Sequence, residues 1–177
     1  MTSRGLTSLE QAEARLVFAG GISYQRVRVV ESARWANALP RLQAWLAHQP
    51  PPRADNALAL GHRLHFPRPL RTSAYFLAAG DLGDFAWLIH ELAHVWQAER
   101  IGPRYAWEAL GLHLRIGPEV YRYGGETAVL AAADAGQNLA AFNVEQQAEI
   151  ARDYYLRRRL GMGTQTWEPV AAAFRGG

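Results

Sequence analysis

The residues best suited to chemistry lie in Ala86–Gln97, AWLIHELAHVWQ, where His90 and His94 stand four positions apart. On a helix that spacing stacks two imidazoles one turn apart, within reach of a single metal ion. Glu91 is about 100° round from His90, near enough to polarise a water at the ion without binding it. This is the HExxH pattern, two histidine ligands for zinc with a glutamate as general base for hydrolysis. Phe85, Leu88, Ile89, Leu92, Val95 and Trp96 fall on an arc of roughly 120° opposite the histidines. The spacing predicts a helix that buries its back in a core and turns a metal site toward a cleft.

A hydrolytic zinc site takes three protein ligands and keeps one position open. The chain has no cysteine, so the third ligand must be His, Glu, Asp or Tyr. Glu145 and Glu149 are four apart after Asn143 and share a helix face. One can bind zinc while the other accepts a hydrogen bond from a ligand histidine and fixes its tautomer; Glu145 is the preferred ligand. The chain between His94 and Glu145 is long enough for a loop and a returning antiparallel helix. Amide hydrolysis at such a site needs Glu91 to take a proton from water and pass it to the leaving amine. It also needs a hydrogen-bond donor for the oxyanion. Tyr123 is the first candidate, because its glycine-rich segment can approach the cleft, followed by Tyr121, His113 and Tyr154.

These residues need elements to hold them. Asp81 or Asp84 is predicted to cap the HExxH helix, which runs to about Arg100 and stops at Gly102-Pro103. Asn143 with Gln146 forms a capping-box pattern for a helix from Val144 to about Leu160, ended by Gly161. Upstream, Thr7-Ser8-Leu9-Glu10 has the same box form and opens a first helix that Gly20-Gly21 closes. Ile22–Val30 alternates well enough for a strand, and Ala57–Phe66 reads as a second, with Gly61 at a bulge or turn. His62 and His65 face opposite sides of that strand and are expected at the surface or an edge rather than as ligands. Ala33–His48 is predicted helical, interrupted by Pro40, and 49–53 is a proline-rich connector. Thr72–Ala79 suits a strand or a helical turn, Tyr105–Leu114 a short helix, and Ile116–Gln137 a loop with little regular structure. A flexible tail at about 164–177 carries Trp167 and Phe174 as residues able to dock.

Length and composition fit one domain spanning 1–177. Hydrophobic residues make up 49% of the chain and there are six tryptophans, which argues for a packed globule rather than disorder. No apolar run approaches the roughly 18 residues of a membrane span, and no signal peptide is visible. Net charge is +3, and all 19 basic residues are arginine. They are scattered, with Arg157-Arg158-Arg159 the single run, which fits a GC-rich coding bias better than a nucleic-acid surface.

The order HExxH followed by Glu-x-x-x-acid on a later helix resembles the gluzincin metallopeptidases. That resemblance implies zinc bound by His90, His94 and Glu145, with Glu149 supporting a histidine where thermolysin-like members carry aspartate. The pieces LTSLEQAEARLVFAGGISYQRVRV, ALALGHRLHFP, AWLIHELAHVWQ, YRYG and FNVEQQAEIARDYY are similar to a bacterial family of zincin-like domains. Those domains occur alone or attached to type VI secretion spike and Rhs-type polymorphic toxin proteins. The resemblance covers roughly Leu6 to Tyr155, and HELAHVWQ and EQQAEI are its specific parts. It implies an α+β zincin-like fold, helix-rich with a small sheet beside the HExxH helix. It also implies a zinc metallopeptidase made in the bacterial cytoplasm and exported as a toxin or effector, with a peptide or protein substrate. A secretion spike and an immunity protein are the implied partners. Other readings of the same residues are a cell-wall amide hydrolase and a non-catalytic, metal-containing module that binds a partner. By analogy with zincins, the strand Ala57–Phe66 would pair with an extended peptide.

Overall fold

The computed structural model describes residues 2–37, 56–102, 104–105, 111 and 117–176. Among these the chain is α+β, with a small four-stranded sheet and more helix than strand. The elements used below are β1 (Thr2–Arg4), α1 (Ser8–Phe18), β2 (Arg28–Glu31), β3 (Leu58–Leu60) and β4 (Arg63–His65). They are followed by α2 (Ala74–Ala78), α3 (Gly83–Ile101), α4 (Gly125–Asp134), α5 (Val144–Arg159) and α6 (Glu168–Ala171). The sheet order is β1-β2-β4-β3, with β2 and β4 parallel and both outer pairs antiparallel.

Both capping boxes form. Thr7 accepts from the Glu10 backbone N–H and Glu10 reaches back to the Thr7 N–H. Asn143 and Gln146 do the same for α5, and Asn143 Oδ1 also accepts from the Glu145 N–H. Such a cap contributes about 1 kcal/mol, and here it fixes the first turn of α5, where Glu145 sits.

Helix α3 runs through the middle of the molecule, packed against α5, α1 and β3. From Asp84 to Gln97 every residue but Trp87 is buried. The expected apolar back is there, but the polar face is covered too, by α5. A helix buried all round must satisfy its polar side chains inside the protein. It therefore needs a partner helix with matching carboxylates. Neither aspartate caps it. Leu82 is the N-cap residue, and the Asp84 carboxylate instead accepts from the Arg68 guanidinium at 2.6 Å and from the Arg71 backbone N–H at 2.7 Å.

Several expectations from spacing are corrected. Ile22–Val30 is not one strand: Tyr24–Arg26 is a 3-10 turn, with the Tyr24 hydroxyl donating to the Ala19 carbonyl, and pairing begins at Arg28. Ala57–Phe66 is a hairpin rather than one strand, turned at Gly61-His62 with Gly61 in the left-handed region. Its two histidines differ: His62 sits in the turn against Glu99 at 2.8 Å, whereas His65 is buried beneath Trp35. The expected loop 116–137 holds a 3-10 turn, Gly117–Tyr121, and α4. Gly124 and Gly125, both at positive φ, redirect the chain into an alanine-rich helix instead of preventing one. Thr72–Ala79 resolves to the short helix α2. Arg34–Asn37 is a 3-10 turn; 38–55, with the expected helix and the proline-rich connector, lies outside the described residues, as does most of the expected helix 105–114.

The expected tail, over 164–176, is packed against the body. Trp167 and Phe174 are buried, and the Phe174 ring meets Phe18 and Trp96 edge-on at 5.5 and 5.1 Å. This docking depends on Gly21. A Cβ built there would lie 1.9 Å from the Phe174 carbonyl oxygen and 2.9 Å from that of Phe18. Both obstacles are backbone, which cannot step aside as a side-chain tip can. Gly21→Ala is therefore expected to destabilise the fold by at least about 3 kcal/mol, read by urea or thermal unfolding. A loss below 1 kcal/mol, on the order of an ordinary surface change, would show that the tail does not close over Gly21.

Candidate metal centre

The face of α3 that carries His90 and His94 lies against the face of α5 that carries Glu145 and Glu149. Glu145 Oε2 is 3.6 Å from His90 Nε2 and 3.5 Å from His94 Nε2. With metal–ligand bonds of about 2.0–2.1 Å, two ligand atoms of a tetrahedral zinc site stand about 3.3 Å apart. The three buried side chains thus converge at a separation that fits one small divalent ion, and they lie close enough together to hold one. The donor set, two imidazoles and a carboxylate, suits zinc and several other first-row metals.

Both imidazoles are held with Nε2 toward that point. On His90, Nδ1 lies 3.0 Å from Glu149 Oε1, an acceptor that requires the proton on Nδ1. On His94 the same result follows through a chain of amides. Gln147 Nε2 donates to the carbonyls of Leu139 and Phe142, which leaves its Oε1 as acceptor for Gln97 Nε2 at 3.0 Å. Gln97 Nε2 also donates to the Val144 carbonyl at 2.8 Å, so Gln97 Oε1 is the atom facing His94 Nδ1, at 2.8 Å. A carbonyl oxygen can only accept, hence Nδ1 carries a proton and Nε2 is the nitrogen turned to Glu145.

Glu149 thus lies against His90 Nδ1, on the helix face that its spacing predicts. Gln97 was missed, although its place one turn after His94 was the signal available. Outer partners of metal-bound histidines typically change metal affinity by about 10–100-fold, and Gln97→Ala is expected to weaken zinc binding within that range. Competition against a chelating dye reads this directly; unchanged affinity would remove Gln97 from the site.

Electrostatics divide the four acidic and basic groups by role. Burial opposes the charge on His90, but hydrogen bonds to Glu145 and Glu149 outweigh it and raise its pKa to about 10. His94 is also opposed by burial and raised by Glu145. Burial likewise disfavours the Glu145 carboxylate, yet His94 and His90 hold it well below the usual range. Glu91 behaves otherwise: burial pushes its carboxyl up, with only partial relief from His90 and His94. The neighbouring imidazoles thus favour the charged form of Glu145, whereas burial favours the neutral form of Glu91.

Glu91, His90 and Glu149 line one side of a cavity of about 710 Å³. Its other walls are Asn56 and Ala57 at the start of β3, Arg68, Arg71, Asp84 and Trp87 toward the N-terminus of α3, and Tyr121 and Arg152. Strand β3 is the edge of the sheet. Positions 62 and 66, on either side of β4, bond toward β2, so 63 and 65 pair toward β3 and the Ala59 backbone faces outward. Tyr105 covers that outward edge, its hydroxyl donating to the Ala59 carbonyl at 2.8 Å and accepting from the Gly61 N–H at 3.0 Å.

The tyrosines sort differently from the sequence expectation. Tyr123 is not at the cavity: its hydroxyl donates to Asp153 Oδ2 at 2.5 Å and its ring packs edge-on against Phe142 and Trp167. Tyr154 is also elsewhere, bonded to Glu168 at 2.6 Å, and His113 lies outside the described residues. Tyr121 does line the cavity, its ring 6.1 Å from that of His90, and burial raises its hydroxyl pKa so that it stays a donor. No helix among the described residues is long and apolar enough to cross a membrane. No protein-family model, curated protein or solved structure matches the chain.

Proposed function

We propose that this chain is a zinc-dependent metallopeptidase of the zincin type, hydrolysing a peptide or amide bond with water. One observation carries the reading: two buried Nε2 atoms and one carboxylate oxygen converge beside a cavity onto which a fourth, proton-labile group, Glu91, also opens. When bound, a divalent ion lowers the pKa of water toward neutrality and polarises a carbonyl. His90, His94 and Glu145 would hold it, and Glu149 and Gln97 keep both imidazoles in the ligating tautomer. Glu91 takes the proton of the attacking water and delivers it to the leaving nitrogen. Tyr121, in place of Tyr123, donates to the oxygen that becomes negative at the reacting carbon. Asn56 and Ala57, just ahead of β3, line the path of an extended substrate, while Tyr105 closes the β3 edge at Ala59.

The test is hydrolysis of a mixed peptide library by zinc-loaded protein, with chelation and re-addition of zinc as control. Chelator-sensitive cleavage is the expected result; no cleavage at full zinc occupancy overturns the reading. The role of exported toxin, with a spike and an immunity protein as partners, is part of the same proposal. Its test is growth of a bacterium expressing the chain in the cytoplasm or directed to the periplasm. Arrest that requires Glu91 is expected, and normal growth in both compartments overturns the toxin role.

A further inference from the structure

Three arginines line the cavity, and they are not equivalent. Arg68 is committed: both Nη atoms bond Asp84 at 2.6 Å, and its guanidinium lies over the Trp87 ring. Arg152 is committed to Glu149 at 2.6 Å and to Asp153. Arg71 alone of the three makes no side-chain hydrogen bond among the described residues. Its nearest acidic atoms are Asp81 Oδ2 at 3.3 Å and Asp84 Oδ2 at 3.8 Å, and its guanidinium, over the Phe76 ring, is 53% exposed.

The backbone that carries Arg71 is nevertheless firmly held. The Leu70 N–H donates to Glu31, the Arg71 N–H to Asp84, and the Thr72 hydroxyl to the buried Glu10 at 2.6 Å. A half-exposed guanidinium on a fixed stem, at a cavity wall and held by ion pairs to Asp81 and Asp84 rather than by hydrogen bonds, is arranged for bidentate capture of a planar anion. Asp84 accepts its hydrogen bonds from Arg68 and the Arg71 backbone, and Asp81 meets the guanidinium only through a solvent-exposed ion pair, which an incoming carboxylate can replace.

We propose that Arg71 determines substrate choice by binding a carboxylate of the peptide, so that cleavage falls at a set distance from an acidic group. The proposal rests on the metallopeptidase reading. The distance follows from α3: Asp84, beside Arg71, precedes Glu91 by two turns, about 10 Å along the helix. An extended peptide advances about 3.3 Å per residue, which places the carboxylate two or three residues from the scissile bond. An Asp or Glu side chain and a free C-terminal carboxylate present the same chemistry.

The experiment uses zinc-loaded full chain carrying Glu91→Gln, so that binding is read without turnover. Its probes are peptides with one glutamate stepped along a neutral sequence, each with a free or an amidated C-terminus. Tighter binding by about tenfold is expected for one glutamate position over the neutral peptide, or for the free over the amidated end, and which of them shows it identifies the source. Adding Arg71→Ala should bring that ratio to about one, and Arg71→Glu should turn the preference toward lysine-containing peptides. Equal binding of acidic and neutral peptides, including none of either, overturns the proposal, as does a preference that survives Arg71→Ala. Cleavage by the wild-type protein is scored separately: chelator-sensitive but charge-indifferent cleavage sinks the Arg71 assignment alone, and absence of cleavage sinks the hydrolase.

Discussion

Glu91→Gln is expected to lower turnover of a cleaved peptide by about 10²–10⁴-fold while zinc binding and the unfolding midpoint stay close to those of the wild type. The asymmetry follows from where Glu91 sits. It is buried on α3 next to His90, but it does not belong to the converging group of His90, His94 and Glu145. Glutamine has the same shape, so packing around α3 is kept. It cannot accept a proton, so the step that needs a base is lost. Burial raises the Glu91 pKa, so the wild-type carboxyl takes up a proton more readily than a solvated glutamate does, which favours a general base. Zinc content by mass spectrometry or elemental analysis, alongside kcat/KM, separates the two effects. A variant that keeps both zinc and full activity removes Glu91 from the chemistry, and with it the hydrolase proposal.

How far the sequence foretold this site depends on the range of each interaction. His90, Glu91 and His94 were legible because helical periodicity alone sets their relative directions. Glu145 and Glu149 were legible for the same reason, given that a second helix returns across the first. The capping boxes at Thr7 and Asn143 are local hydrogen bonds, and both formed as read. Gln97 shares the helix with His94, yet its importance depends on Val144 and Gln147, which come from the facing helix.

What escaped was decided by contacts far apart in sequence. Tyr121 and Tyr123 are two residues apart, and nothing local says which faces the cavity. Asp153 and Trp167, both on later segments, draw Tyr123 away. Periodicity also presented α3 as amphipathic, when α5 and the C-terminal segment bury nearly all of it. The tail looked loose because its anchors, Phe18, Gly21 and Trp96, lie far upstream. Strand Thr2–Arg4 had no visible pattern of its own and exists by pairing with Arg28–Glu31. Such short strands are held by their partners more than by propensity.

The second large effect concerns Glu145, and it separates a metal site from a buried ion cluster. Glu145→Gln is expected to weaken zinc binding by more than about 100-fold, beyond the range typical of an outer partner, because it removes a ligand. The same carboxylate also compensates two imidazoles in the metal-free protein, so some loss of stability without zinc must be allowed for. That loss is limited. A histidine can give up its proton instead of remaining an unpaired charge, and His90 keeps Glu149 as a partner. The decisive quantity is therefore the difference made by zinc. At a free concentration 100-fold above its dissociation constant, zinc stabilises the wild type by about 2.7 kcal/mol. Under the same conditions Glu145→Gln should gain almost none of this. Were the cluster only an internal salt bridge, the substitution would lower stability equally with and without zinc, and zinc would not shift the wild-type midpoint. Unfolding curves for both proteins, with and without the ion, therefore distinguish a ligand from a structural counter-charge without any knowledge of the substrate.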